Sequence, residues 1–354
     1  MAITEAYIDE SYRDGDPRIL CVGGYLYRKI RAAEFTRDWR RYLKSNGLPY
    51  FHANEIAGAQ KEGNLYYGKN VDAICRNLIE LTRQKTAYGF AVTVNEDEYN
   101  EIVRPREGMP SAYAFALKAC VGMVRRWKVE HSALGPTSYF FEQGHKHQND
   151  ANDFLNWLLG VPEIAAKYGY SGHAFVCKET EGVQPADYLA WHWRLESVRQ
   201  LDPNRTRAPR ADLHALLRPG DFTRCYTRAD LVNLEVALHD AERIRHQTRE
   251  QIALTQEAAV LSYVRRADTA VPRPSMPKQR PQPSDQHREP QNGCGQYSQD
   301  EECSSYAHGA LEHLVLVPTQ EAAHQYPRIG QHADRAVEQG ADHDDSNDAA
   351  AARA

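Results

Sequence analysis

The chain lacks any Cys-x-x-Cys pair. Its seven cysteines, Cys21, Cys75, Cys120, Cys177, Cys225, Cys294 and Cys303, are scattered and odd in number. That argues against a structural zinc site and against a disulfide framework. Those in apolar runs read as small buried hydrophobes. No uninterrupted apolar run reaches transmembrane length and no signal-peptide pattern is present, so the expectation is a cytoplasmic protein with no membrane partner. There is no excess of positive charge either: the formal net charge is −5. A globally basic nucleic-acid binder is excluded, but a local basic groove stays open, because binding follows charge distribution more than the sum. No Gly-x-x-x-x-Gly-Lys pattern accompanies Gly23-Gly24, so a phosphate-cradling loop is not indicated there. No internal repeat is visible.

What is present suffices for a core: 42% of the 354 residues are hydrophobic and 26% charged. That length is long for one domain and short for three. An apolar β-type run, Ile3 to Ile8, ends in Asp9, Glu10 and Ser11. After a turn at Arg13–Pro17, Ile19 to Tyr27 reads as a second strand, giving an antiparallel hairpin. Its glycine pair points to a bulge or a close backbone approach. A helix over 31–46 carries Phe35, Trp39, Tyr42 and Leu43 on one face and stops at Gly47. Val71, Ile74, Leu78 and Leu81 repeat at helical spacing. Tyr88–Val94 is strand-like, 111–126 helical, and Thr137–Glu142 a strand ending in an acid. Helix over 150–168, strand over 173–177 and helix over 182–196 follow. Tyr66-Tyr67 and Trp191-His192-Trp193 read as packing residues rather than base-stacking platforms. The order is a hairpin, a helical insertion over about 28–87, a third strand, then alternating helices and strands. It predicts an α/β mixed sheet of five strands flanked by helices, over 1–200.

Residues 198–226 are rich in Arg and Pro. A long polar helix is expected over 227–266, with Thr227 and Asp230 forming a capping box and Leu231, Leu234, Leu238 and Ile244 an apolar stripe. Beyond Ala267 the composition turns to Pro, Gln, His, Asp and Ser, which reads as a disordered tail, with Leu314–Val317 its one apolar run. The helix and the tail are the expected contacts for any protein partner.

Three acids stand out by position. Asp9 and Glu142 end strands, and Asp187 lies early in the helix Gly182-Val183-Gln184-Pro185-Ala186-Asp187-Tyr188. Gln184 and Asp187 are three apart and share a helix face. Pro185 fits early in a helix, where its missing donor costs little. Carboxylates at the end of a core strand are costly to bury without compensation.

Tyr7-Ile8-Asp9-Glu10-Ser11, Phe51-His52 and Gln184-Pro185-Ala186-Asp187-Tyr188 resemble the motifs of the family called domain of unknown function 3800. The resemblance spans roughly residues 3–200. It departs from the family at Tyr12, where Gly is usual, and at Pro185, where an apolar residue is usual. The resemblance implies a ribonuclease-H-like fold in which Asp9, Glu142 and Asp187 meet at one site. Such a site suits Mg²⁺ or Mn²⁺, which prefer oxygen ligands, and two such ions about 4 Å apart can hold the attacking water and leaving oxygen of a phosphodiester. Asp9 would bridge them. Glu10 points to the other face of an ideal strand, so Glu10 and Ser11 are expected to support the site from outside it. His52 is the candidate for protonating a leaving group. Gln184, Lys178 and His145, the last within Gln143-Gly144-His145-Lys146-His147, are candidates for holding substrate. Arg199, Arg205, Arg207 and Arg210 form a basic cluster that could track a nucleic-acid backbone.

The function expected is a divalent-metal-dependent nuclease or phosphodiester-processing enzyme. Two alternatives stand beside it: a non-catalytic interaction protein on a nuclease-like scaffold, in a defence or mobile-element setting, and a small-molecule phosphatase or phosphotransferase.

Overall fold

A computed structural model describes residues 3–13, 17–104, 111–133, 135–202, 204, 208, 210–244 and 247. They fall into two compact units divided after Leu231. The described residues of the second, 232–244 and 247, are helical. The first unit holds the sheet and every candidate acid.

In chain order its elements are β1 (Thr4–Arg13), β2 (Ile19–Arg28), α1 (Lys29–Ser45), α2 (Ala53–Ala57), α3 (Val71–Lys85), β3 (Tyr88–Asn95), α4 (Glu96–Ile102) and α5 (Ala112–Glu130). Then come β4 (Thr137–Glu142), α6 (Gln148–Gly160), α7 (Pro162–Tyr168), β5 (Tyr170–Val176), α8 (Val183–Leu201), α9 (Ala211–Leu216) and β6 (Phe222–Tyr226). The architecture is α/β: a mixed sheet of order β5-β4-β1-β2-β3-β6, flanked by helices. Pairing is antiparallel across β1–β2 and β2–β3, and parallel across β1–β4, β4–β5 and β3–β6.

Local chemistry explains most of the boundaries. Asn70, Asn95 and Ser111 cap α3, α4 and α5 by accepting main-chain N–H groups of the first turn. In α1 the buried residues are Ala32, Phe35, Trp39 and Leu43, and Gly47 follows with φ +64°, a conformation that costs glycine little. The stretch expected as one helix over 150–168 is two, because Val161 takes an extended backbone and Pro162 starts α7. Thr227 and Asp230 form the expected box: Asp230 Oδ2 accepts from Thr227 N at 2.9 Å, and Thr227 Oγ1 accepts from Asp230 N at 3.3 Å. Ile244, expected on an apolar stripe, is 49% exposed.

The sheet has six strands rather than five. β6 lies within the Arg/Pro-rich segment, and four of its five residues are only half-buried, so no clean alternation marks it in the sequence. It is recruited by parallel pairing, Phe90 to Phe222 through Val94 to Tyr226. Tyr66 is buried as expected, but Tyr67 is 54% exposed and is not a packing residue. The helix beyond 247, the tail with Leu314–Val317, and Arg205 and Arg207 lie outside the described residues. Among the described residues no helix is long and apolar enough to cross a membrane.

The glycine pair in β2 serves close approach, since the β1–β2 register runs unbroken from Thr4–Arg28 to Arg13–Ile19. A Cβ on Gly23 would lie 3.5 Å from the Ala190 Cα of α8 and 3.2 Å from the Ala91 Cβ. α8 therefore covers the Gly23 face of the sheet. Val22 belongs to the opposite face, where its carbonyl accepts from Cys120 Sγ of α5. The entry to α8 is equally tight: a Cβ on Gly182 would come within 2.3 Å of the Tyr7 ring. That ring is itself stacked on Phe140 and edge-on to Tyr27.

Gly182→Ala should therefore destabilise the fold by about 1–3 kcal/mol, the usual cost of overpacking. The backbone at 182 has φ −68°, which suits alanine, so the effect is steric. A lowered urea midpoint checks it.

Candidate active site

The β1–β4 register pairs Ile8 with Phe141, so Asp9 and Glu142 follow side by side on adjacent parallel strands. Ile8 and Phe141 are buried in the core, and alternation turns Asp9 and Glu142 to the other face, the one α8 covers. Asp9 is 4% exposed, and its Oδ1 accepts from Glu10 N at 2.7 Å. Burial raises its pKa well above the carboxylate range, and the charges of Glu10, Asp187 and Glu142 push the same way. Proximity of the Glu142 carboxyl raises it further, since two neighbouring carboxylates favour keeping a proton between them.

Asp187 reaches this cluster from α8. It is 7% exposed, and its Oδ2 accepts from the Ala53 N–H at 2.7 Å. Burial raises its pKa to about 6; His52 and the Ala53 N–H oppose the rise, and Glu142 adds to it. Two of the three expected acids, Asp9 and Glu142, are thus strand neighbours, and the third lies within their electrostatic reach.

Glu10 is more than a neighbour in sequence. Its pKa rises to about 8, first through burial and then through the charge of Glu142, with Asp187 contributing. Four carboxylates therefore share one field, and the leading electrostatic neighbours of Asp9 are all acids.

His52 ends the strap that precedes α2. Its Nδ1 is buried without a hydrogen-bond partner, and its main-chain N donates to Tyr66 Oη at 3.4 Å. It is the leading charged influence favouring ionised Asp187. The other candidates are placed less directly. Ser11 Oγ accepts from Arg194 Nε at 2.9 Å, tying β1 to α8. Gln184, expected to touch substrate, is 2% exposed and used internally. Its Oε1 accepts from Trp39 Nε1 at 2.8 Å and Phe51 N at 2.9 Å, and its Nε2 donates to Glu179 O at 3.1 Å. Lys178 lies over the Tyr50 ring at 4.4 Å, and Tyr50 donates to Glu55. Arg199 is paired with Glu196, and Arg210 lies over the Trp191 ring.

Sequence reasoning missed Tyr113. It is 2% exposed, and burial together with Glu10, Asp9 and Glu142 raises its pKa. His145 stacks on it with 4.0 Å between ring centroids; burial lowers the His145 pKa to about 4, with His147 and Lys146 adding to the effect. In the sequence Tyr113 sits inside an apolar helix pattern, with no local mark of its proximity to the acids. Nearby, Glu96 gathers Tyr12 Oη at 2.8 Å and Lys146 Nζ at 3.2 Å.

The donor set suits a hard divalent cation in charge and in chemistry, since oxygens dominate it. Among the described residues, no three His, Cys, Asp or Glu side chains stand as a preformed ligand cage. Asp9 and Asp187 each spend one oxygen on a main-chain N–H. The chain matches no protein-family model and no curated protein, so the resemblance to domain of unknown function 3800 rests on its motifs.

In the absence of divalent ions the site should make stability fall as pH rises. For Asp187 and Glu10 the folded-state pKa lies above the ordinary value, at about 6 and about 8. Between the two values the folded state holds more protons than the unfolded state, so the slope is negative. The stabilisation is complete below about pH 4 and is lost through pH 8, with on the order of 3 kcal/mol from Asp187 alone. Urea midpoints measured in chelator across that range check the slope, and Asp9→Asn should flatten it.

Proposed function

We propose that this protein is a divalent-metal-dependent nuclease acting on phosphodiester bonds, built on a ribonuclease-H-like core. The observation that carries the reading is the cluster of buried Asp9 and Asp187 with half-buried Glu142 and Glu10, in which burial and neighbouring acids raise the pKa of Asp9, Glu10 and Asp187 and no basic side chain is among the leading neighbours of Asp9. Such a cluster is unstable at neutral pH unless protons or cations enter it. The strand order supports the fold reading: β3-β2-β1 is antiparallel, and β4 and β5 continue parallel from β1. The motifs shared with domain of unknown function 3800 point the same way.

In this reading Asp9 and Glu142 hold Mg²⁺ or Mn²⁺ from adjacent strands, and Asp187 completes the set from α8. When bound, such ions supply positive charge to the phosphate and to the attacking and leaving oxygens. The chain's own part is orientation. The Ala53 N–H fixes which oxygen of Asp187 remains available. Glu10 N–H does the same for Asp9. His52, beside Asp187, is the group to hand a proton to the leaving oxygen. Glu10 and Tyr113 back the cluster, and Ser11 holds β1 against α8 through Arg194.

Wild-type protein should cleave labelled single- or double-stranded DNA, RNA or hybrid in Mg²⁺ or Mn²⁺. Asp9→Asn and Asp187→Asn should each lower the rate by about 100-fold or more, as loss of a preorganised charge does. Cleavage that survives both changes would remove this site from the chemistry. A wild type inert on every nucleic acid would leave the interaction-protein or phosphatase reading.

A further inference from the structure

One helix departs from the acidic balance of the chain. α1 carries Lys29, Arg31, Arg37, Arg40, Arg41 and Lys44 against Glu34 and Asp38. Four of the bases, Arg37, Arg40, Arg41 and Lys44, follow i, i+3, i+4, i+7 spacing and so form one stripe. The stripe lies away from the buried face of Ala32, Phe35, Trp39 and Leu43. The side chains of Arg37, Arg40 and Arg41 are 61%, 69% and 73% exposed, and Lys44 is exposed as well. Their acidic partners are few: Asp38 serves Arg37 at 3.1 Å and Arg41 at 3.6 Å, and Glu181 serves Arg40 at 2.6 Å. The acids are the more buried partners, Asp38 at 22% and Glu181 at 14% exposure, so the arginines are the side that faces solvent.

An exposed aromatic lies in the loop tied to the end of α1. Lys69 Nζ donates to Asn46 O at 2.8 Å, which docks the 64–69 loop on the C-terminus of α1. Two residues earlier is the exposed Tyr67, whose neighbour Tyr66 anchors the loop in the core. A basic track beside an exposed ring is the combination that binds single-stranded nucleic acid: cations follow the phosphates and the ring stacks a base.

The track also borders a groove. Arg40 and Lys44 line this open space of about 470 Å³ together with Gln184, Glu179 and Glu181. Gln184 lies one helical turn before Asp187 on α8. The strap Phe51–Ala53 binds both: Phe51 N–H donates to Gln184 Oε1 and Ala53 N–H to Asp187 Oδ2. One strap thus holds both Gln184, which lines the groove, and Asp187 of the acidic cluster, while none of the four acids lines the groove itself.

We propose that the outer face of α1, with Tyr67, is the binding track for a single-stranded nucleic acid. The choice of nucleic acid over another polyanion rests on the nuclease function already proposed; the surface itself rests on the charge stripe and the exposed ring.

Binding is read by fluorescence anisotropy with a labelled 20-nucleotide single strand, in chelator and in the Asp9→Asn background, so that no cleavage intervenes. The combined change Arg37→Gln, Arg41→Gln and Lys44→Gln should weaken binding about tenfold or more at 0.1 M salt. It should also reduce the slope of log affinity against log salt by about 2, at about 0.7 for each phosphate no longer neutralised. Tyr67→Ala should weaken binding about tenfold with the slope unchanged. Arg126→Gln, on α5, should change neither. These substitutions are at exposed positions, and an unchanged urea midpoint certifies the fold. Equal affinity and slope in the triple variant, preference for a duplex that ignores Tyr67, or no binding by the parent would each overturn the track. Binding that follows these expectations in a protein whose wild type never cleaves would keep the track and remove the proposed chemistry.

Discussion

Like charge held close in a dry place is the constraint that organises this structure. Asp9 and Glu142 are adjacent because β1 and β4 pair in parallel with Ile8 opposite Phe141. Neither acid can move away without breaking that register, which a buried core on the opposite face fixes. α8 then brings Asp187 to the same place, and it can do so only because the sheet is bare beneath it. Gly23 lets the Ala190 backbone approach, and Gly182 leaves room for the Tyr7 ring at the helix entrance. Residues with no chemistry of their own thus set the distance at which the charges meet.

The insertion between β2 and β3 is the second support. Its short strap, Phe51–Ala53, offers two main-chain N–H groups to two α8 side chains, Gln184 and Asp187. Gln184 uses its remaining capacity on Trp39 and Glu179. One buried amide therefore locks α1, the strap and α8 together, and the Ala53 N–H of the same strap holds Asp187. Removing such an amide would leave buried donors unpaired, which costs more than the bonds themselves contribute. The residue expected to recognise substrate is used to build the frame.

Much of the fold was legible in the sequence. Apolar runs and periods placed β1 to β5 and the helices α1, α3, α5 and α8 within about five residues, because each is long enough to show an apolar run or period. Thr227 and Asp230 marked their helix start by chemistry alone. The short elements were not legible. α2, α4, α9 and β6 are too brief to show a period, and β6 exists only because β3 offers it an edge. The break at Val161 is marked only by Pro162, and a proline tolerated in a first helical turn does not by itself say that a new helix begins there.

By itself, the sequence determined which residues could carry charge into the interior. Asp9 and Glu142 end apolar strands, and Asp187 lies in an apolar helix turn, so burial of Asp9 and Asp187 and half-burial of Glu142 are in line with local pattern. It could not determine which charges meet, since that depends on strand register and on how near α8 comes to the sheet. Nor could it show how strongly Glu10, which alternation puts on the other face, is coupled to the cluster, since the field of a buried carboxylate passes through a single strand. Tyr113 and the exposure of Tyr67 were likewise decided only in three dimensions, where a residue's neighbours are set by packing between segments far apart in the chain.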